Sequence, residues 1–541
     1  MKKNSIAQAL VLTLGIAGTA MAQQSVPDAG RILQEVAPAR PALPQGGKVP
    51  QLPDPTTTQQ VESGGEEVQI KGLSFSGNTV FNSDTLLGVV GSIKQESFDL
   101  AGLEKLVDRV TVYYRNAGYP FATAFLPEQD LHDGTLRIEV IEGRYGLVQV
   151  TGDNPAAVAQ AQKYLLSLKS GQLIMRAPLE RATLLLGDLP GATIEPVLSP
   201  GADHGQGDLT VALQRQRGYN VETGIDNHGG YYSGMTRARI AVNVNSPFML
   251  GDQLTAQLLH TNMDLWMGNV GYSAPLNANG WRGNVGYTHT RYQLGRDFVG
   301  SEGTAKVGSI GVSYPLVRSL RGNVMLSATF QDKRLFNSYQ YGDASEKYRS
   351  KLLPLAVQFD RYDDWGLTTG NLTGSLGHLT KDDPTTQGTF GKLNLDLSRV
   401  QNLTSGVSLY GHFNNQIASK NLDSSERMSL GGVTGVRAYA ASEGYGDEGW
   451  LTQIELRYRQ GAATTYAFYD YGKIQVNAKP ALVDSPSPDV KLAGVGAGLR
   501  YQQTNWVLDT VLAMRTIHKA PTSEGTRDPK PRAWVNFTYK F

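Results

Sequence analysis

The sequence predicts a mainly β fold: a 16-stranded antiparallel transmembrane β-barrel preceded by two small α/β domains and a short N-terminal helix. Three observations predict it. From about residue 217 to Phe541, segments of about ten residues alternate apolar with polar side chains. Ahead of them, a unit of mixed strand and helix periods, about 75 residues long, occurs twice in tandem. The composition also suits long β-structure: 61 Gly and 25 Tyr in 541 residues, no Cys, and 18% charged residues against roughly 25% in soluble domains.

Composition excludes several classes. Mean hydropathy is −0.29, and beyond the N-terminus no apolar run approaches the about 20 residues a membrane helix needs. The 50 basic and 49 acidic residues nearly cancel, so there is no basic footprint for nucleic acid. Without Cys there are no disulfides, thiolate metal sites or Cys nucleophiles.

Residues 1–22 read as a secretory signal peptide. Lys2 and Lys3 precede an apolar stretch from Ala7 to Ala20, and Ala20-Met21-Ala22 forms the cleavage site. Residues 23–66 read as a linker, because Pro41, Pro44, Pro50, Pro53 and Pro55 sit in a Gln- and Thr-rich stretch too polar to form a core. Within it, Asp28 is an N-cap candidate and Ile32, Leu33 and Val36 share one face, which predicts a helix at about 28–37.

The first α/β domain is expected over 67–143. Val68 to Phe75 alternates as a strand, and helices follow at about 83–90 and 100–117, the second with Leu103, Leu106, Val107 and Val110 on one face. Strands at 121–126 and 135–140 close it. The second domain, 144–216, repeats the order, with helices at about 155–168 and 178–187 and strands near 192–198 and 208–213. The barrel is expected over 217–541. At roughly 20 residues per strand and connection, its length gives about 16 strands. Its final strand places Ala533, Val535, Phe537, Tyr539 and Phe541 on one face, as a lipid-facing strand ending in an aromatic girdle would.

Several motifs carry a resemblance. In the first domain, Gly118-Tyr119-Pro120 and Gly134 through Gly143 are similar to the POTRA pattern, as are Leu189-Pro190-Gly191 and Gly205 through Leu209 in the second. In the barrel, Gly435-Val436-Arg437-Ala438-Tyr439 is similar to the VRGY/F loop motif of the outer-membrane barrel-assembly superfamily, and Phe468-Tyr469-Asp470-Tyr471-Gly472 to the strand motif that pairs with it. Two POTRA modules, the barrel and the N-terminal helix together resemble the TpsB transporters of two-partner secretion (ShlB/FhaC/HecB type). One position departs: Ala438 stands where that family has Gly, and a Cβ there restricts the backbone.

The resemblance implies a pore that recognises a large unfolded exoprotein through its POTRA domains and exports it through the barrel. The alternative is a BamA-like assembly factor, a branch that usually carries more POTRA modules. The implied partners are a TpsA-type exoprotein (haemolysin, filamentous haemagglutinin, adhesin or contact-dependent toxin), outer-membrane lipids, and the barrel-assembly machinery for its own insertion. A monomer, without nucleic acid or cofactor, is expected. The loop motif Gly435, Val436, Arg437 and Tyr439 should fold into the lumen and meet a wall motif of Phe468, Asp470 and Gly472, with Arg437 pairing with Asp470. Alternation alone already turns Tyr466, Phe468 and Asp470 to one face, and a lipid-facing carboxylate would be costly. The helix at 28–37 is expected to plug the resting pore.

No catalytic site is expected. The eight His residues are scattered, no G-x-S-x-G elbow occurs, and Gly494, Gly496 and Gly498 read as small lumen-facing strand residues. Asp360, Asp363 and Asp364 with Arg361 read as a solvated strand end rather than a cation site.

Overall fold

The computed structural model describes residues 26–37, 43–44, 46–51, 64–65, 67–93, 96–131, 133–340, 344–441, 443–483, 488–517 and 521–541. The signal peptide expected at 1–22 and much of the Pro-rich linker lie outside the described residues.

The described chain opens with α1 (Ala29–Glu35), capped by the Asp28 carboxylate, which accepts from Arg31 N at 2.9 Å. In the next module the alternating run from Val68 is not one strand. It breaks at Lys71 into β1 (Val68–Ile70) and β2 (Gly72–Ser76). The Gly134 carbonyl accepts from both Lys71 N and Gly72 N, at 2.8 and 3.3 Å, which diverts the backbone at that point. β1 then pairs antiparallel with the short β3 (Glu96–Phe98). β2 instead runs parallel to β5 (Thr135–Ile141), the centre of a three-stranded sheet whose other edge is β4 (Thr123–Phe125). α2 (Ser83–Val90) and α3 (Leu100–Asn116) cover this sheet. Leu103, Leu106, Val107 and Val110 of α3 pack on Leu136, Ile138 and Val140 of β5. Each such side chain contributes about 1.5–3 kcal/mol through burial.

The second module has the same wiring. β6 (Arg144–Thr151), α4 (Pro155–Gln162), α5 (Arg176–Gly187), β7 (Ala192–Pro200) and β8 (Gln206–Arg215) form a sheet in which β8 lies between parallel β6 and antiparallel β7. The buried Glu142 carboxylate ties the first module together near the junction. It accepts from Thr79 N at 2.6 Å, Val80 N at 2.7 Å, the Tyr114 hydroxyl at 3.1 Å and the Thr79 hydroxyl. Burial, reinforced by that carboxylate, pushes the Tyr114 phenol well above its ordinary pKa.

Sixteen strands then close into an antiparallel barrel. They are β9 (Tyr219–Asp226), β10 (Arg237–Asn245), β11 (Gln253–Thr261), β12 (Trp266–Pro275), β13 (Arg282–Gln293), β14 (Glu302–Arg318), β15 (Gly322–Ser338) and β16 (Ser345–Asp363) in the first half. The second half is β17 (Gly366–Leu379), β18 (Gly388–Thr404), β19 (Val407–Ala418), β20 (Glu448–Gln460), β21 (Ala463–Gln475), β22 (Val490–Gln502), β23 (Trp506–Arg515) and β24 (Arg532–Lys540). β24 returns to β9 over only five paired positions, Asn536↔Asp226 to Lys540↔Glu222.

Alternation along each strand exposes Ile310, Leu355, Leu376, Leu456, Leu512 and Phe537 outward, the face a bilayer covers. Exposed Phe248, Trp281 and Trp365 in the turns at the module end mark the interface level there. Asp360 is buried and accepts from the Asn323 amide, whereas Asp363 pairs with Arg399, so the acidic run at that strand end is split between two environments.

The second module docks on the rim beside β10 to β15. Arg318 binds Asp188 through two hydrogen bonds of 2.7 Å and donates to the Gly46 carbonyl at 2.7 Å. Arg181 donates to the Pro315 carbonyl at 2.8 Å, and Gln160 exchanges hydrogen bonds with the backbone of Leu250.

Glu142→Ala strands four donors in the first module and should destabilise it by about 1–3 kcal/mol. Limited proteolysis of the membrane-inserted protein should show faster cleavage within 68–143, and an unchanged rate would contradict that role.

Candidate functional site

The loop between β19 and β20 does not stay outside the barrel. It carries a 3₁₀ turn, Ser424–Glu426, and narrows into a two-residue ladder in which Met428 faces Gly446 and Ser429 faces Tyr445. Leu430 N then bonds the Gly444 carbonyl and Gly431 N the Glu443 carbonyl, at 2.9 and 2.8 Å, which carries the two limbs inward. The Glu443 carboxylate accepts from the backbone and hydroxyls of both Thr522 and Ser523, clamping the loop to the β23–β24 connection.

At its tip, Arg437 is 4% exposed and Asp470 on β21 is 0% exposed. Arg437 Nε donates to Asp470 Oδ2 at 2.9 Å and Nη2 to Oδ1 at 2.6 Å, a bidentate fork. The Arg437 backbone N–H adds a third bond to Oδ2 at 3.0 Å. Nη1 reaches Glu455 on β20 at 2.5 Å, and Glu455 also pairs with Arg457 at 2.7 Å. Two guanidinium groups thus face two carboxylates, which leaves no buried net charge. The Phe468 ring lies 3.6 Å below the Arg437 guanidinium, adding a cation–π contact.

The tip backbone is equally tied down. The Trp534 indole donates to the Arg437 carbonyl at 2.7 Å, and Gln453 Nε2 to the Gly435 carbonyl at 2.8 Å. Val436 N donates to the Leu430 carbonyl at 2.6 Å. The same carbonyl would lie 1.9 Å from a Cβ on Gly435, so no side chain fits there. Tyr439 is buried and donates to the Ile517 carbonyl at 3.1 Å. Gly472 makes room for Leu430 of the loop. Ala438 packs on Gly494 of β22, where an added Cβ would lie 2.5 Å from its own, and Ala438 has no positive φ. The alanine therefore sits without backbone strain because the facing wall is glycine.

The residues singled out in the sequence thus meet at one place. Glu455, Gln453 and Trp534 were missed. Each faces inward by simple alternation, on the face opposite Ile454 and Leu456 or opposite Ala533 and Val535, and that was the available signal.

α1 occupies the outer half of the lumen. Ala29, Ile32 and Val36 bury against inward apolar residues from eight strands, among them Leu259, Tyr292, Leu335, Leu352, Leu379 and Phe390. Its polar groups are also matched. Ala29 N donates to Asn337 Oδ1 at 2.8 Å, the Ser233 hydroxyl to Glu35 at 2.9 Å, and Arg237 to the Glu35 carbonyl at 3.2 Å. On the loop side, Gln34 donates to the Ser424 carbonyl at 3.2 Å and accepts from the Tyr445 hydroxyl at 2.9 Å. Gly30 lets the helix approach closely, since a Cβ there would lie 2.5 Å from Ser425 N. The turn it rests on is anchored by Glu426, which binds Lys333 at 2.6 Å and Lys392 at 2.9 Å. Burial would raise the Glu426 carboxyl, but the two lysines hold it down at about 2. One loop therefore carries both the arginine pair and the bed of α1.

Comparison with known proteins places this arrangement. The family described as haemolysin secretion/activation protein ShlB/FhaC/HecB matches residues 205–501, and the ShlB-type POTRA domain matches 68–143. The chain is 28% identical to the heme/hemopexin transporter protein HuxB of Haemophilus influenzae (strain 86-028NP), over 77% of this chain and 78% of the relative. It is 23% identical to the outer membrane transporter CdiB of Dickeya dadantii (strain 3937), over 70% of this chain and 71% of the relative. Its structure superposes on that of CdiB from Escherichia coli with a TM-score of 0.70, covering 91% of this chain and 94% of the other at 20% identity.

Arg437→Ala leaves Asp470 buried without its cation, which should cost about 3–5 kcal/mol. Lower resistance of the folded barrel to heat in detergent electrophoresis should report the loss. Arg437→Lys should restore only part of it, because a single ammonium cannot reproduce the fork; full restoration would contradict the geometry.

Proposed function

Because the chain belongs to the haemolysin secretion/activation family ShlB/FhaC/HecB, we propose that its barrel is the pore through which one large TpsA-type exoprotein leaves the cell. The protein is an outer-membrane transporter of two-partner secretion, with its POTRA modules in the periplasm. The observation that carries the pore reading is the filling of the lumen. What obstructs it is a seven-residue helix held by side-chain contacts rather than by the barrel ladder, beside a folded-in loop whose tip is locked to one wall. Such a helix can leave while the barrel stays closed.

Recognition falls to the modules. β2, β4, β6 and β7 are edge strands, and an edge can accept an extended chain through main-chain hydrogen bonds, which tolerate varied sequences. No ATP is available in the periplasm, and folding of the emerging partner outside supplies the drive. In this reading Arg437 and Asp470 hold the loop against one wall and keep the remaining lumen passable, while α1 plugs the resting pore. The relatives it matches are transporters, and the reading needs no enzymatic step.

The direct test is co-expression with a TpsA-type exoprotein from the same genome, scored by its appearance in the medium. Export should require this chain. Arg437→Ala should lower export while the barrel remains inserted, and normal export by that variant would sink the role given to the pair. Deleting 28–37 should raise single-channel conductance in planar bilayers, and Gly30→Leu, which drives α1 off its turn, should do the same. Unchanged conductance in both would count against a plug.

A further inference from the structure

The outward face of the barrel is mostly apolar, but one sector of it is strongly cationic. On β13 to β16, the outward positions near the ends remote from the modules carry Arg291, Lys306, Arg334, Lys347, Arg349 and Lys351. Their direction follows from alternation with the buried, inward Tyr292, Ala305, Leu335, Tyr348 and Leu352. Among the described residues, only Glu302 and Asp332 place carboxylates on this sector. Elsewhere, outward strand positions at this level hold cations only at Lys473 and Lys491 on β21 and β22, again among the described residues, and there Asp489 pairs with Lys473 at 2.8 Å.

The register sets these cations side by side. Lys306 stands opposite Arg334, and Arg334 opposite Arg349, on three adjacent strands. Like charges directly opposite one another destabilise a sheet. Asp332 relieves part of the repulsion, accepting from Arg334 at 3.3 Å and from Arg349 at 2.8 Å, and Glu302 lies 3.9 Å from Arg291. Lys306 and Lys351 are exposed and have no ion pair among the described residues. The sector therefore holds more positive charge than the chain itself neutralises. It also stands at a defined height. Lys306 lies ten residues from the exposed Leu316 at the module end of β14. That is about 33 Å along the strand, or about 25 Å of height at a tilt of about 40°, which is the apolar band of an outer-membrane barrel. Below the cations, Tyr287, Ile310, Phe330, Leu353 and Leu376 are exposed on β13 to β17. The charged groups thus stand where the acyl chains of the outer leaflet end and its headgroups begin.

We propose that this sector is a binding site for the phosphorylated glycolipid of the outer leaflet, lipopolysaccharide. Its lipid A phosphates sit among Lys306, Arg334, Arg349 and Lys351, and its acyl chains lie on the apolar residues below. A phosphate group offers several acceptor oxygens and more than one negative charge. One such group can bridge cations on strands about 4.8 Å apart and remove the repulsion that the register creates. The guanidinium forks of Arg334 and Arg349 suit phosphate geometry, and Lys306 and Lys351 add point charges. Height excludes the phospholipids of the inner leaflet, whose headgroups lie at the module end. The same strands carry Tyr292, Ala305, Leu335 and Tyr348 of the α1 seat on their inner face, so a lipid that bridges them outside braces that seat. The site requires a membrane-embedded barrel and is independent of the pore function proposed above.

The test is lipid binding by the purified chain, stripped of lipid in detergent and read by native mass spectrometry. The probes are bisphosphorylated lipid A, the same lipid A freed of its phosphates, and phosphatidylglycerol. Bisphosphorylated lipid A should bind at least about tenfold more tightly than either comparator. The triple variant Lys306→Gln/Arg334→Gln/Lys351→Gln should lose about tenfold in that affinity. Lys306→Gln alone, which breaks no ion pair among the described residues, should lose part of it. Lys473→Gln/Lys491→Gln, on the far side of the barrel, should bind as the wild type does. Heat-modifiable migration first establishes that each variant is a folded barrel. Equal binding of phosphate-free lipid A would overturn the phosphate contact, and equal binding of phosphatidylglycerol would overturn the choice of glycolipid. Unchanged affinity in both the triple and the single variant, or an equal loss in Lys473→Gln/Lys491→Gln, would overturn the site.

Discussion

The buried ion pair between Arg437 and Asp470 is the constraint from which the interior arrangement follows. Removing two charges from water is costly, and the cost is recovered here because the polar atoms of the pair itself are matched. The fork to Asp470, the third bond from the Arg437 backbone, the link to Glu455 and the indole bond to the Arg437 carbonyl leave little freedom for the tip. Such a site is either fully made or strongly unfavourable, so it behaves as a two-position element rather than a soft contact.

The rest of the lumen is organised around that choice. With the tip on the β20–β22 wall, the limbs of the loop run back past Leu430 and Tyr445 to the Ser424–Glu426 turn, and α1 rests on that turn. Lys333 and Lys392 pin the turn from the opposite side through Glu426, so the loop spans the lumen between two sets of ionic contacts. Below, Arg318 joins the second module to the rim and also holds the linker that follows α1, through the Gly46 carbonyl. Helix, loop and module are therefore mechanically connected by a short series of named contacts. The outer wall of exposed Leu, Ile and Val is independent of all of them.

Much of this was legible in the sequence, for reasons that also mark the limits. Period-two alternation defines which side chains enter the lumen, so Asp470 could be placed inward and Phe468 with it. It does not say which inward groups meet, because that depends on register and stagger across several strands. Glu455 and Trp534 had the same inward signal as Asp470, but their partners lie 18 and 97 residues away along the chain. The bed of α1 was hidden for a related reason. Each of eight strands contributes isolated inward apolar residues, such as Leu335 or Phe390, and they converge only when the barrel closes. In the first module, the break at Lys71 follows from the Gly134 carbonyl, which no local pattern around Val68 reveals. The family resemblance supplied the pairing of Arg437 with Asp470; the surrounding contacts explain why Ala438 is accommodated.

The central claim is that Arg437 and Asp470 act as one energetic unit holding the tip of the loop against the β20–β22 wall. A double-mutant cycle tests it most directly: denaturant unfolding of the purified barrel carrying Arg437→Ala, Asp470→Ala or both. The account predicts that the double variant loses much less stability than the two single losses combined, with a coupling of about 2–3 kcal/mol. Additive losses would mean that the two residues stabilise the barrel separately, and the account would be wrong.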